Sequence, residues 1–405
     1  MSIDRSIFAE RGFAYYFGGQ CFSYLGDGLR TLAIPLLVFH ITGSALSTGI
    51  TYALEILPFA LVGLVGGSLA DRTDRRRLMI GCDFVRFAIM AGFSFEYARG
   101  ALSLPMLYGG IVVLSAAAAV FIGGQASSIP YLVGRARSSR AIAALIAAEQ
   151  TSNLITPPIG GAIFSVMGAL PALVVNAFTY LISQFTLAAV PTLGPDEPGP
   201  LPHARVIVRD IRDGFHFLAL DTAMKTVTFA SGALNLIGMM GVAVTIPYLK
   251  IVFGASDAVV GLAFGGIAVG SVLGALTAGR FGPRWPFGKA LCVAYMTDAV
   301  VYLPVLFAQN VPTVVVFLAL SSAAASFQVA QIVGWRLRIV PGEKVGSVFG
   351  AVRMVALIGV VPGAIIGGYL AQLYGPRLAI IVSGIGFLLT ALFTLSSRAI
   401  REDAR

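Results

Sequence analysis

Long apolar runs separated by short polar breaks set the plan of this chain. A helix needs about 20 mostly apolar residues to cross a bilayer, and twelve stretches qualify. In the first half they are 13–40, 47–70, 78–97, 105–133, 141–166 and 169–190. In the second half they are 226–250, 259–279, 287–308, 311–335, 345–373 and 378–396. The pattern predicts an all-α membrane protein of twelve transmembrane helices in two pseudo-symmetric six-helix bundles. The longest polar interruption begins rich in Pro and Gly ("PTLGPDEPGPLP") and continues as "RVIVRDIRDGFHFLAL". There Val208, Ile211, Phe215 and Leu218 recur at helical spacing among charges, which predicts an amphipathic helix on the membrane surface. The expected organisation is a bundle over 1–190, a cytoplasmic linker over 191–221 carrying that helix, and a second bundle over 222–405.

The halves are related in sequence. Gly67 with Leu69 is echoed 207 residues on by Gly274 with Leu276, and "GGAIFSVMGALPA" from Gly160 by "GGYLAQLYGPRLA" from Gly367 at the same offset. Two matches at one offset argue for duplication. A duplicated membrane bundle is a transporter-like plan, with its site expected between the repeats near mid-membrane.

Composition sharpens this picture. Of 405 residues, 57% are hydrophobic and 12% charged, against roughly 25% charged in soluble domains. The net charge of +9 does not point to nucleic acid, because the basic residues punctuate the apolar runs and form no patch. They do set orientation. With a cytoplasmic N-terminus, the outer loops hold only Arg99, Lys250 and Arg377 of the 28 lysines and arginines, while Arg30, Arg86 and Arg353 lie within helices. The rest fall in inner loops and tails, which places both termini in the cytoplasm of a cell (inner) membrane protein. Cys21, Cys82 and Cys292 sit singly in apolar segments, and His40, His203 and His216 have no cysteine or acid pair at metal spacing. No metal site and no cofactor are expected.

The candidate chemistry begins in the first helix, "YFGGQCFSYLGDGLRTLAIPLLVF". Gln20, Ser23, Asp27, Arg30 and Thr31 fall within an arc of roughly 100° at 3.6 residues per turn. A charge at bilayer depth costs about 2.5–3.5 kcal/mol on insertion scales, so this stripe is expected to face a water-filled cavity. Pairing of Asp27 with Arg30 offsets part of the cost. The seventh helix carries a similar stripe of Thr228, Ser231, Asn235 and Met239. Other acids lie in helices. Glu149 shares a face with Asn153 and Pro157 and has no cation on its helix, which makes it a candidate proton carrier. Glu55 is a further candidate. Asp83 reads as a structural pair with Arg86 supporting the inner loop, and Asp298 as structural. Gln328 and Gln331 read either as lining the inner mouth or as helix-to-helix hydrogen bonds.

Two local motifs complete the set. After the second helix comes "GGSLADRTDRRRLMI". It resembles motif A of the major facilitator superfamily at Gly67, Asp71, Arg72, Arg75 and Arg76, with Asp74 where the second glycine stands. The resemblance implies a gate in which the aspartate caps a helix of the opposite half, an electrostatically sound arrangement. The second half's "GALTAGRFGPR" has Ala278 at that position, so the lock would be one-sided. In the fifth helix, "EQTSNLITPPIGG" resembles motif C of exporting branches at Pro157, Pro158, Gly160 and Gly161, with Thr156 replacing its first glycine. Prolines kink the helix and paired glycines admit a close neighbour. The eleventh helix repeats the idea as "VPGAIIGG".

From about Phe13 to Arg86 the chain resembles the branch of major facilitators that contains macrolide efflux pumps and the enterobactin exporter. That resemblance implies the major facilitator fold and secondary transport, without chemical conversion. It points to proton-coupled export, by antiport and alternating access, of an amphiphilic small molecule or drug. The substrate and protons would be the partners, and a monomer the working unit. Drug–proton antiporters of the superfamily commonly carry an arginine in the fourth helix. The stretch 105–133 has no basic residue, so either Arg30 takes that part in a proton relay or coupling differs. The alternatives are a proton symporter importing a metabolite and a non-transporting membrane receptor.

Overall fold

Helix starts and stops follow the local chemistry of the chain. Among the described residues, five starts are capped by a side chain that accepts a backbone N–H: Asp74, Ser103, Asp221, Ser256 and Asn310. Gly134, Gly168 and Gly375, all at positive φ, stop or separate helices where a left-handed residue is needed. The computed structural model describes residues 5–70, 73–190, 193, 204–341, 344–397 and 400, and the side chains of 5, 6, 60, 63–70, 126, 204–208, 210, 211, 283, 345 and 346 are outside that description.

The long helices are α1 (Arg11–Thr42), α2 (Ala45–Ala70), α3 (Arg75–Ala98), α4 (Leu104–Val133), α5 (Ser138–Met167), α6 (Ala169–Ala188) and α7 (Ala204–Leu220). They continue as α8 (Thr222–Pro247), α9 (Asp257–Phe281), α10 (Phe287–Tyr302), α11 (Val311–Ile339), α12 (Val345–Tyr374) and α13 (Pro376–Ser396). Among the described residues, ten helices are long and apolar enough to cross a membrane. α2, described only in part, and α5 are not among them. In α5 the polar run "EQTSN" interrupts the apolar sequence.

The sequence offset reappears in the helix bounds. Ser138 and Val345 start 30-residue helices 207 residues apart, and Met167 and Tyr374 end them at the same spacing. The caps Ser103 and Asn310, and the positive-φ glycines Gly168 and Gly375, keep that offset too.

The chain divides into two compact units. Unit 1 is Met1–Leu37 with Leu54–Pro202, and unit 2 is Val38–Ala53 with His203–Arg405. The sequence places 38–53 with the first bundle, whereas its contacts lie with the second set of helices. In unit 2 the Ala45 N–H donates to Gln372 Oε1 (3.0 Å). Gly49 and Gly368 meet so closely that a Cβ on either would strike the other's helix backbone. α7 is a helix, as its pattern predicts, and it rests on α12: a Cβ at Gly214 would overlap the carbonyl of Ser347. Leu218 is buried, while Phe215 is exposed.

Packing in unit 2 is backbone to backbone. Gly359, Gly363 and Gly367 set α12 against the carbonyls of Gly232, Leu236 and Met240 on α8. This is the small-residue packing that membrane helices use where no hydrophobic effect drives them together.

Candidate functional site

The glycines of "YLGDGLR" explain how a polar stripe on α1 becomes a site. A Cβ at Gly26 would overlap Thr179 of α6, and one at Gly28 would overlap Thr156 of α5. Their absence lets both helices close on α1, which carries the Tyr180 hydroxyl to Asp27, where it donates to Oδ1 at 2.6 Å.

Five ionisable side chains of unit 1 meet there. Arg86 donates to both carboxylate oxygens of Asp27 (2.7 and 2.6 Å) and to Asp83 Oδ1 (3.0 Å). Arg30 donates to Glu55 Oε1 at 3.0 Å and lies 3.7 Å from Asp27. The Arg86 guanidinium also stacks 4.0 Å from the centroid of Tyr180 and 5.4 Å from that of Phe121. Asp27 is the most open member, its side chain 30% exposed, against 10% for Glu55 and 0% for Asp83. Three carboxyl groups share two guanidiniums, so loss or gain of one proton takes the cluster between a formal charge of −1 and zero.

A second polar group lies along α1. Gln125 of α4 donates from Nε2 to Gln20 Oε1 (3.1 Å) and to the Tyr24 hydroxyl (2.6 Å). Ser152 of α5 donates to the Tyr24 carbonyl at 2.7 Å. Thr31, assigned to the stripe by its spacing, is exposed and bonds back to the Asp27 carbonyl.

The structure thus brings Asp27, Arg30 and Glu55 into one network, with Gln20 in the adjoining one. Glu149 and Asn153 are exposed on α5, beside the buried Ser152 and Thr156, and neither makes a hydrogen bond or ion pair among the described residues. Asn235 belongs to unit 2, where it lines a cavity with Thr228, Ser231 and Met239, the whole predicted stripe of α8. Asp83 with Arg86 was expected as a pair supporting the inner loop. That pair forms at 3.0 Å, and Arg86 holds Asp27 as well, since Asp83 at i−3 takes one arm of the guanidinium and leaves the other free. Arg86, Tyr180 and Gln125 are the members that sequence reasoning missed. Only the lone arginine within the third apolar run could have signalled the first of them. Among the described residues, no group of three or more His, Cys, Asp or Glu is placed to hold a metal.

Of the gating motif, Asp71, Arg72 and the surroundings of Gly67 lie outside the described residues. Arg75 is buried: its Nε donates to Ser127 Oγ (2.9 Å) and its guanidinium covers the Tyr131 ring at 4.8 Å. Arg76 reaches the Ala188 carbonyl at 2.7 Å. Asp74, the departure from the motif, has a structural job. Its Oδ1 accepts from the N–H of Arg76 (3.0 Å), capping α3, and from that of Leu193 (3.3 Å). In α5, Pro157 and Pro158 lie inside the helix, and Gly160 and Gly161 are buried. A Cβ at Gly160 would press on Leu29 at 3.2 Å, so the glycine sets the approach of α5 to α1.

Apolar helices of spanning length, glycine-packed and wrapped around buried charges, define a multi-pass membrane transporter of the major facilitator fold. The chain belongs to the transmembrane secretion effector family of that superfamily, whose profile matches residues 6–405. It is 23% identical over 393 residues to the multidrug efflux pump Tap of Mycobacterium tuberculosis, covering 93% of this chain and 91% of Tap. It is 26% identical over 274 residues to the enterobactin exporter EntS of Citrobacter koseri, covering 66% of this chain and 63% of EntS. A bacterial homologue of the iron transporter ferroportin, solved in an inward-facing state, superposes with a TM-score of 0.77 at 14% identity. That match covers 95% of this chain and 98% of the other, and it shows the shared fold. These relatives and this fold are those of transporters, not of enzymes.

Proposed function

We propose that the chain is a secondary active exporter that moves an amphiphilic small molecule outward in exchange for protons, by alternating access of two duplicated six-helix halves. It sits in the inner membrane as a monomer with both termini cytoplasmic, as the distribution of lysine and arginine favours. The observation that carries the proposal is the Asp27–Arg30–Glu55–Asp83–Arg86 cluster. Unmatched charge is expensive away from water, so a cluster whose charge changes with one proton gives protonation a lever on conformation. A conformational change needs a differential interaction of this kind. Asp27, which both arginines approach and which is the most exposed of the three carboxyls, is the exchanging group, with Glu149 on the neighbouring α5 as a relay. Tap and EntS, an efflux pump and an exporter by name, favour outward transport.

The test uses everted membrane vesicles acidified inside and loaded with a fluorescent pH reporter. Amphiphiles come from a susceptibility screen of cells overproducing the protein. Exchange predicts that a cargo added outside collapses the gradient in wild-type vesicles and not in those with Asp27→Asn. Collapse of equal size in both would remove Asp27 from coupling. A gradient deepened by the cargo would turn the reading to symport.

A further inference from the structure

Unit 2 carries a partly open cavity of about 460 Å³, well within the size range of small-molecule sites. Every residue that lines it belongs to unit 2. Its walls are mostly apolar, with Met239, Val360 and Phe387 among them, but it also holds two buried groups of opposite charge type.

One is Arg336 of α11, 4% exposed. It donates once, to Thr228 Oγ1 at 3.0 Å, and its Nε is buried with no hydrogen-bond partner among the described residues. Among those residues no carboxylate pairs with it, and a guanidinium buried without a counter-charge is costly. The other is Asp298 of α10, 1% exposed. It accepts from Ser321 Oγ (2.5 Å) and from Gln328 Nε2 (3.4 Å), and no basic side chain among the described residues reaches it.

The two groups do not pair with each other. Gln328, which touches Asp298, and Arg336 are eight residues apart on α11, which is about 12 Å along the axis. The cavity thus holds a guanidinium with one hydrogen bond and, farther along α11, a carboxyl. The apolar side chains of Ile332 and Val360 lie at levels between them, an arrangement complementary to a ligand with opposite ends.

We propose that this cavity binds an elongated dipolar small molecule, its acidic group on Arg336, its cationic group on Asp298 and its apolar body along Ile332 and Val360. This names the class of cargo for the exporter proposed above, and rests on that reading for its physiological use. Binding itself needs no proton gradient, so a failure here is distinguishable from a failure of export.

The test is calorimetric titration of the purified full-length protein in dodecyl maltoside, with empty micelles as the blank. The probes are 10-aminodecanoic acid, decanoic acid, decylamine and decan-1-ol. On the wild-type protein, 10-aminodecanoic acid is expected to bind at least tenfold more tightly than either single-ended probe, and decan-1-ol weakest. Asp298→Asn should reduce its affinity to that of decanoic acid, and Arg336→Gln to that of decylamine. Arg336→Lys should keep more affinity than Arg336→Gln. A melting curve of each variant checks that it is folded. Equal affinity of all four probes on the wild-type protein overturns the proposal without any variant. So does unchanged 10-aminodecanoic acid binding in folded Arg336→Gln and Asp298→Asn.

Discussion

Arg86 is the joint of the unit 1 cluster, and its replacement by glutamine has a calculable cost. The guanidinium is 3% exposed and holds two carboxylates, Asp83 at 0% and Asp27 at 30% exposure. Breaking a buried ion pair by removing one partner costs about 3–5 kcal/mol, because the other charge stays behind. The Asp27 part is discounted, since that carboxylate is partly exposed and has Arg30 at 3.7 Å. The sum falls near the lower end, about 3 kcal/mol. For a domain of roughly this size, 1 kcal/mol moves the melting midpoint by about 2–4 °C, so Arg86→Gln should lower it by about 6–12 °C. The assay is built into the sequence. Cys82, next to Asp83, is buried in unit 1 and Cys292 in unit 2. Cys21, the third free cysteine, is only half-buried, so in a Cys21→Ser/Cys292→Ser background a fluorogenic thiol dye follows the opening of unit 1 through Cys82. Adding Asp83→Asn to Arg86→Gln should cost less than the two single losses together, because contacting partners are not additive. A drop of under about 2 °C for Arg86→Gln, or strict additivity in the double variant, would refute the claim that this guanidinium is an energetic hub.

Other consequences follow from individual contacts. Tyr180→Phe keeps the ring beneath Arg86 but removes the bond to Asp27; it should cost about 1 kcal/mol in the same thiol assay. Asp74→Ala removes the cap of α3 and the link to Leu193, for a loss of about 1–2 kcal/mol by thermal melting. Gly363→Leu drives a side chain into the Leu236 carbonyl and should abolish a monodisperse peak in size-exclusion chromatography. Gly350→Ala, with nothing within 4 Å of the added carbon, should leave the peak intact and raise helix stability by up to about 1 kcal/mol.

The long helices were legible because the bilayer imposes a length and a composition that the sequence must declare. The run read as 345–373 is the helix Val345–Tyr374. The polar stripe of α1 was legible from its spacing, and Gln20, Asp27 and Arg30 of it join the polar networks of unit 1. Its partners were not. Arg86 lies 59 residues from Asp27, and the sequence displays only its (i, i+3) neighbour, so the shorter-range pairing concealed the longer one. Asp298 read as structural, and it is buried and bonded to Ser321 and Gln328 of α11; its place on the cavity lining comes from the packing of α10 on α11, which hydropathy does not display. Asp74 read as a missing glycine, although its side chain supplies two backbone donors with an acceptor. The membership of 38–53 in unit 2 was hidden altogether, because chain order places those residues with the first bundle while Gly49 and Gly368 hold them against α12.

The decisive measurement compares two modes of transport in proteoliposomes carrying wild-type protein or Asp27→Asn, using a cargo found in the susceptibility screen. The wild type should accumulate the cargo against its gradient when a pH difference is imposed, and should also exchange labelled for unlabelled cargo with no pH difference. Asp27→Asn should lose the pH-driven accumulation and keep the exchange, since it can still change conformation but no longer trades a proton. Full pH-driven accumulation in Asp27→Asn would contradict the assignment of proton exchange to the α1 cluster.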